Sequence, residues 1–137
     1  MTASAYLWVA TTEFGLQEVP VSDDILFKYS LPTALPSDPV LREFFPEFVT
    51  RWLADIASQW PDIKARRDDV ELRRFGHTIR GSFIQFGLRD MSEGGVRIME
   101  CAARSSWDEA GAIVHHIQRA LLDVQSILPT LLSKDSQ

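Results

Sequence analysis

The apolar positions of this chain fall into two regimes that meet near Pro36. From residue 38 onward they recur at three- and four-residue steps, the spacing of one face of an α-helix. Before that point Pro20, Asp23, Asp24, Pro32 and Pro36 interrupt short apolar pieces, 6–10 and 25–31, that keep no sustained period. Residues 1–37 therefore read as an N-terminal extension holding one short helix or strand. Its aromatic residues, Trp8, Phe14, Phe27 and Tyr29 among them, are too many for a free disordered tail and predict that the extension packs on the helical region after it.

The helical part divides into four. Ser37-Asp38-Pro39 starts the first helix, with a capping side chain followed by a proline whose missing N–H costs nothing in the first turn. Leu41, Phe44, Phe45, Phe48, Trp52, Ile56 and Trp60 form its apolar stripe; Pro46 is expected to kink or split it and Pro61-Asp62 to close it. The second helix is expected over 69–87, with 64–68 as its lead-in or as the tail of the first. Asp90-Met91-Ser92-Glu93 has the spacing of a capping box and predicts the start of a third helix, which continues through Met99, Ala102 and Ala103 with its first turns weakened by Gly94-Gly95. Ser106-Trp107-Asp108-Glu109 is a second capping box, followed by the continuous stripe Ala110, Ile113, Val114, Ile117, Leu121, Val124 and Leu128 that Pro129 is expected to end. Four helices with one apolar face each and short polar connections predict an all-α, antiparallel up-down-up-down bundle over 38–132, with a frayed tail at 133–137.

Within that pattern one polar residue stands out of phase. A helix turns about 100° per residue, so Leu72, Phe75, Ile79, Phe83 and Phe86 lie on the side of the second helix opposite His77. The histidine is therefore expected on the outer face. Arg73, Arg74 and Arg80, at i−4, i−3 and i+3, share that face and ring the imidazole with guanidinium groups. Gly81 follows one turn on, at a helix-propensity cost of about 1 kcal/mol against alanine, and predicts a place where something approaches the backbone closely.

Composition narrows the chemistry this cluster can serve. At 137 residues, 45% hydrophobic and 24% charged, the chain has room for one domain and no second one. A net charge of −5 argues against nonspecific nucleic-acid binding, which needs a broad positive surface, so the arginines around His77 are a local exception. Cys101 is the only cysteine and is expected as a small core residue; an intramolecular disulfide and a CxxC metal site are both excluded. No stretch approaches the roughly 18 apolar residues of a membrane span, and the N-terminus lacks a basic start with a long apolar run, so a cytoplasmic protein with no membrane partner is expected.

His77-Thr78-Ile79-Arg80-Gly81-Ser82, with Phe86-Gly87 beyond it, resembles the signature of histidine-containing phosphotransfer (HPt) domains of two-component phosphorelays. Met99-Glu100-Cys101-Ala102-Ala103-Arg104 resembles a stretch of the family's next helix, and 38–48 its opening helix, so the likeness covers roughly 38–128. Two residues depart from the family pattern: Arg80 stands for its usual lysine and Gly76 for its usual alanine. The first keeps the charge but replaces a point charge with a planar fork; the second is expected to loosen the helix beside the histidine. Gln85 stands where the family often has asparagine.

The resemblance implies that His77 accepts a phosphoryl group, on Nε2, from a receiver-domain aspartate and passes it to another. It implies Arg80 as the residue stabilising the phosphoryl oxygens, helped by Arg73 or Arg74, and a docking face that includes Gly81, Ile84, Gln85 and Leu88. Response-regulator receivers, and a hybrid histidine kinase, are the implied partners. The Mg²⁺ is expected on the receiver, with no cofactor on this chain, and no GxxxxGK[ST] or GxGxxG marks a nucleotide site, so ATP-dependent kinase activity is not expected. A monomer suffices for such a bundle, although the aromatic extension could also mediate association. The residues leave a second reading open, a helical interaction module that binds a receiver or other partner through the His77 face without taking phosphate. His115 and His116 suggest a metal, but adjacent helical residues point about 100° apart and read as a solvated pair.

Overall fold

A computed structural model describes residues 5–11, 15–21 and 28–135, with side chains over 28–134. The described residues form an antiparallel hairpin, β1 (Ala5–Thr11) and β2 (Gly15–Val21), and four helices, α1 (Pro39–Arg66), α2 (Asp69–Gln85), α3 (Arg89–Arg104) and α4 (Trp107–Asp135). The extension thus holds two strands where one short element was expected. Trp8, Phe14 and Phe27 lie outside the described side chains.

The helices form the expected all-α four-helix bundle. α2 packs on α3, α3 on α4 and α4 on α1. The aromatics of α1 close the ring: Trp52 and Phe48 each meet Phe83 of α2 edge-on at 5.2 Å, while Trp60 stacks on Phe75 of α2 and Trp107 of α4 at 6.3 Å. Phe45, Val49, Leu72, Ile79, Ile98, Ile113, Ile117 and Leu121 are fully buried between the helices. All but Val49 and Ile98 come from the apolar stripe expected of their helix. Phe44, expected in the α1 stripe, is half exposed, and Phe86 is only partly buried against the core.

The sequence signals place the starts of α1, α2 and α4 where the structure has them, and the helix ends less well. Asp38 caps α1 by accepting from the N–H groups of Val40 and Leu41, and Asp68 caps α2 by accepting from Val70 and Glu71. The capping box at Asp90 does not form. α3 starts at Arg89 with Leu88 as its uncapped flank, because the Asp90 carboxylate accepts instead from the Ser30 N–H at 2.8 Å. α2 stops at Gln85, two residues early, where Gly87 takes a positive φ of 78°.

Prolines end nothing here. Pro46 and Pro61 lie inside an uninterrupted α1, which runs on to the left-handed Arg67, and Pro129 lies inside α4, which continues to Asp135. In each case buried residues flank the proline: Phe45 and Val49, Trp60 and Ile63, Leu128 and Leu131. Keeping both neighbours on the core face outweighs the hydrogen bond that the proline forfeits.

Residues 28–38 lead into α1 along the bundle. The Tyr29 hydroxyl donates to Asp123 Oδ2 of α4 at 2.6 Å, and its ring meets His116 edge-on at 5.2 Å. Burial and the Asp123 carboxylate push the Tyr29 phenol up to about 12. Tyr29 and Leu35 are both partly buried against the core.

Candidate functional site

His77 lies near the middle of α2 and is exposed, as are Arg73, Arg74, Arg80, Gly81, Ile84 and Gln85. Behind them Leu72, Phe75, Ile79 and Phe83 are buried, so the phase argument that places the imidazole on the outer face holds in the structure. Leu88 does not belong to that face. Leu88 would share that face only if the helix ran on past it, but α2 ends at Gln85 and Leu88 turns inward, 5% exposed, before α3. Val70, at i−7, takes a place that the sequence reading missed: it is 65% exposed on the same face, with Ile84 49% exposed at i+7.

The three arginines are not equivalent. Arg74 is bound to Glu71 at 3.0 Å, which satisfies part of its fork and offsets its charge. Arg73 and Arg80 make no hydrogen bond or ion pair with the described residues, so two guanidinium groups stand ready on either side of His77. Arg104 of the following helix is occupied with Glu109 at 3.1 Å. Among the described residues the acidic chain therefore leaves two open basic groups beside one open imidazole.

The backbone under the histidine is fixed from below. A Cβ at Gly76 would lie 2.7 Å from the carbonyl oxygen of Gly95, and one at Gly95 would lie 2.5 Å from that of Gly76 and 2.7 Å from the Arg80 N. Two glycines thus let α2 and α3 meet backbone to backbone across the turn from Gly76 to Arg80 that carries His77. Ser92 adds a hydrogen bond from its Oγ to the Arg80 carbonyl at 2.8 Å. Gly76 tightens the mount where the sequence reading expected it to loosen the helix, and Gly94-Gly95 is a packing feature where only weakened turns were expected. Ser92 and Gly95 were missed as site residues; the one signal for them was a pair of interior glycines on consecutive helices.

Gly81 behaves differently. A Cβ there would meet nothing within 4 Å, so it leaves bare backbone facing solvent one turn from His77. Toward the start of α2 an open groove of about 520 Å³ lies between α2 and α3, lined by Val70, Arg73, Val96, Met99, Glu100 and Ala103 among others. Arg73 borders both the groove and the histidine. The N-terminus of α2 is tied down further along, where Asp69 accepts from Ser105 Oγ and from Trp107 Nε1 at 3.1 Å, rather than pairing with an arginine.

The remaining histidines face different neighbours. Burial holds His115 below the ordinary imidazole value, helped by Lys64 and opposed by a hydrogen bond with Gln118, whereas His116 lies against Tyr29. Among the described residues no group of three or more His, Cys, Asp or Glu side chains is placed to hold a metal ion. Cys101 is buried, and burial raises its thiol pKa. No helix of the described residues is long and apolar enough to cross a membrane. Comparison with protein-family models, with curated proteins and with solved structures finds no match to this chain.

Proposed function

We propose that this protein is a histidine phosphotransfer module of a two-component phosphorelay, working in the cytoplasm with response-regulator receivers as its donors and acceptors. The observation that carries the reading is the outward His77, mounted on a rigid backbone between the open guanidinium groups of Arg73 and Arg80. In the forward step an imidazole nitrogen of His77 attacks the phosphorus of a receiver aspartyl phosphate. The N–P bond forms as the P–O bond to the carboxylate breaks, and the carboxylate leaves on the receiver with its Mg²⁺. The return step runs the same bonds in reverse toward a second receiver. One protomer is enough for either step.

Phosphoryl transfer depends mainly on positioning and charge stabilisation. Arg80 supplies a planar fork to the phosphoryl oxygens, and Arg73 supplies a second from the opposite side of the imidazole. Gly81 lets the receiver's rim approach, while Val70 and Ile84 give that rim apolar contact on either side. The same apolar contacts suit a module that binds a receiver without taking phosphate. The two readings part on one variant: with His77→Gln, a transfer protein loses label from a phosphorylated receiver, whereas a pure binding module carries none before or after the change. Arg80→Ala is expected to slow transfer by about 10²-fold, the loss typical of one charge-stabilising donor, while leaving receiver binding within a few fold.

A further inference from the structure

The hairpin has two outer edges of unequal character. β2 carries Glu18 and Pro20, a charge and a residue with no N–H, both of which discourage a further strand. β1, Ala5 to Thr11, is seven residues with no charge and no proline, and no third strand pairs with it among the described residues. A two-stranded sheet is marginal in water, and an uncharged open edge is a template for another strand.

The register says which groups that edge offers. Tyr6 pairs with Pro20, which cannot donate, so the bonds exchanged within the hairpin fall at Ala5–Val21, Leu7–Val19, Val9–Gln17 and Thr11–Gly15. The N–H and C=O groups of Tyr6, Trp8 and Ala10 are then left for the outer edge. Trp8 is the centre of the strand.

We propose that β1 pairs antiparallel with β1 of a second copy of this chain, about a two-fold axis at Trp8, giving a four-stranded sheet in the order β2-β1-β1-β2. Trp8 stands opposite Trp8 of the second copy, Tyr6 opposite Ala10 and Leu7 opposite Val9, so a large residue is in register with a smaller one on both sides of the axis. Tyr6, Trp8 and Ala10 are the residues whose free backbone groups such a register uses. The absence of charge in β1 means that no like charges meet. The interface is isologous, and the sheet stops at four strands because Glu18 and Pro20 lie on both outer edges. This pairing is independent of the phosphotransfer reading.

Sedimentation equilibrium of the purified full chain tests it. The expected result is a reversible rise in mass from 15.5 kDa toward twice that value with concentration. Trp8→Lys, which sets two positive charges opposite one another at the axis, and Trp8→Pro, which deletes the Trp8 N–H from the outer edge only, are each expected to weaken association at least tenfold. Glu18→Lys on the other edge is expected to leave it unchanged. Helical circular dichroism shows that the bundle is intact in each variant. A chain that stays at 15.5 kDa up to about 1 mM, or one whose association survives both Trp8 changes, overturns the proposal.

Discussion

Gly76 and Gly81 sit on the same helix and flank His77, yet their surroundings give them opposite tolerances. At Gly76 a methyl group would collide with the Gly95 carbonyl of the neighbouring helix, backbone that cannot move without parting α2 from α3. Gly76→Ala is therefore expected to lower stability by about 2–3 kcal/mol, read from urea unfolding. Gly81→Ala meets open space and is expected to raise stability by up to about 1 kcal/mol. A bulky Gly81→Gln is expected to cut transfer while leaving the urea midpoint near that of the wild type, which separates access from folding. His115 adds a prediction in pH. Because its folded form holds a proton less readily than the unfolded chain, the unfolded state binds more protons as pH falls below about 7 and stability drops. His115→Gln is expected to flatten that loss between about pH 7.5 and pH 5.5, measured by unfolding at each pH.

At the scale of elements, the sequence makes legible what local periodicity controls. The stripe of α2 that turns His77 outward, the stripe of α4 from Ala110 to Leu128, and the cap at Asp38 all stand in the structure where the pattern places them. Three kinds of feature were not legible, each because distant residues decide it. Pro46, Pro61 and Pro129 carry a local stop signal, but burial of their neighbours continues the helix through them. Asp90 has the spacing of a cap, but Ser30, far away in sequence, takes its carboxylate. Gly95 looks like a helix weakener until α2 is seen lying against it. The first of these leads to a prediction for Pro129→Ala. The exposed ring contributes no packing that a methyl group lacks, so restoring the N–H is expected to stabilise the C-terminal part of α4 by about 1–3 kcal/mol, visible as slower amide exchange over 126–133.

For the whole molecule, the distribution of charge connects fold and function. A chain of net charge −5 presents its open imidazole between two guanidinium groups that are unpaired among the described residues, on a helix face whose backbone is locked to the next helix. Glu71 and Glu109 occupy Arg74 and Arg104, whereas Arg73 and Arg80, the residues that the proposed transfer uses on the phosphoryl group, are not engaged in this way. In the proposed transfer the bundle supplies a nucleophile on a fixed backbone with two basic side chains beside it, and the receiver supplies metal and leaving group. The measurement that bears most directly on this account is transfer of label from a panel of phosphorylated receiver domains to the wild-type chain and to His77→Gln. The account predicts that at least one receiver loses its label to the wild-type protein as an acid-labile phosphohistidine and that His77→Gln receives none. Label that appears on His77→Gln as readily as on the wild type, or a wild-type chain that binds a receiver and never takes its phosphate, would contradict it.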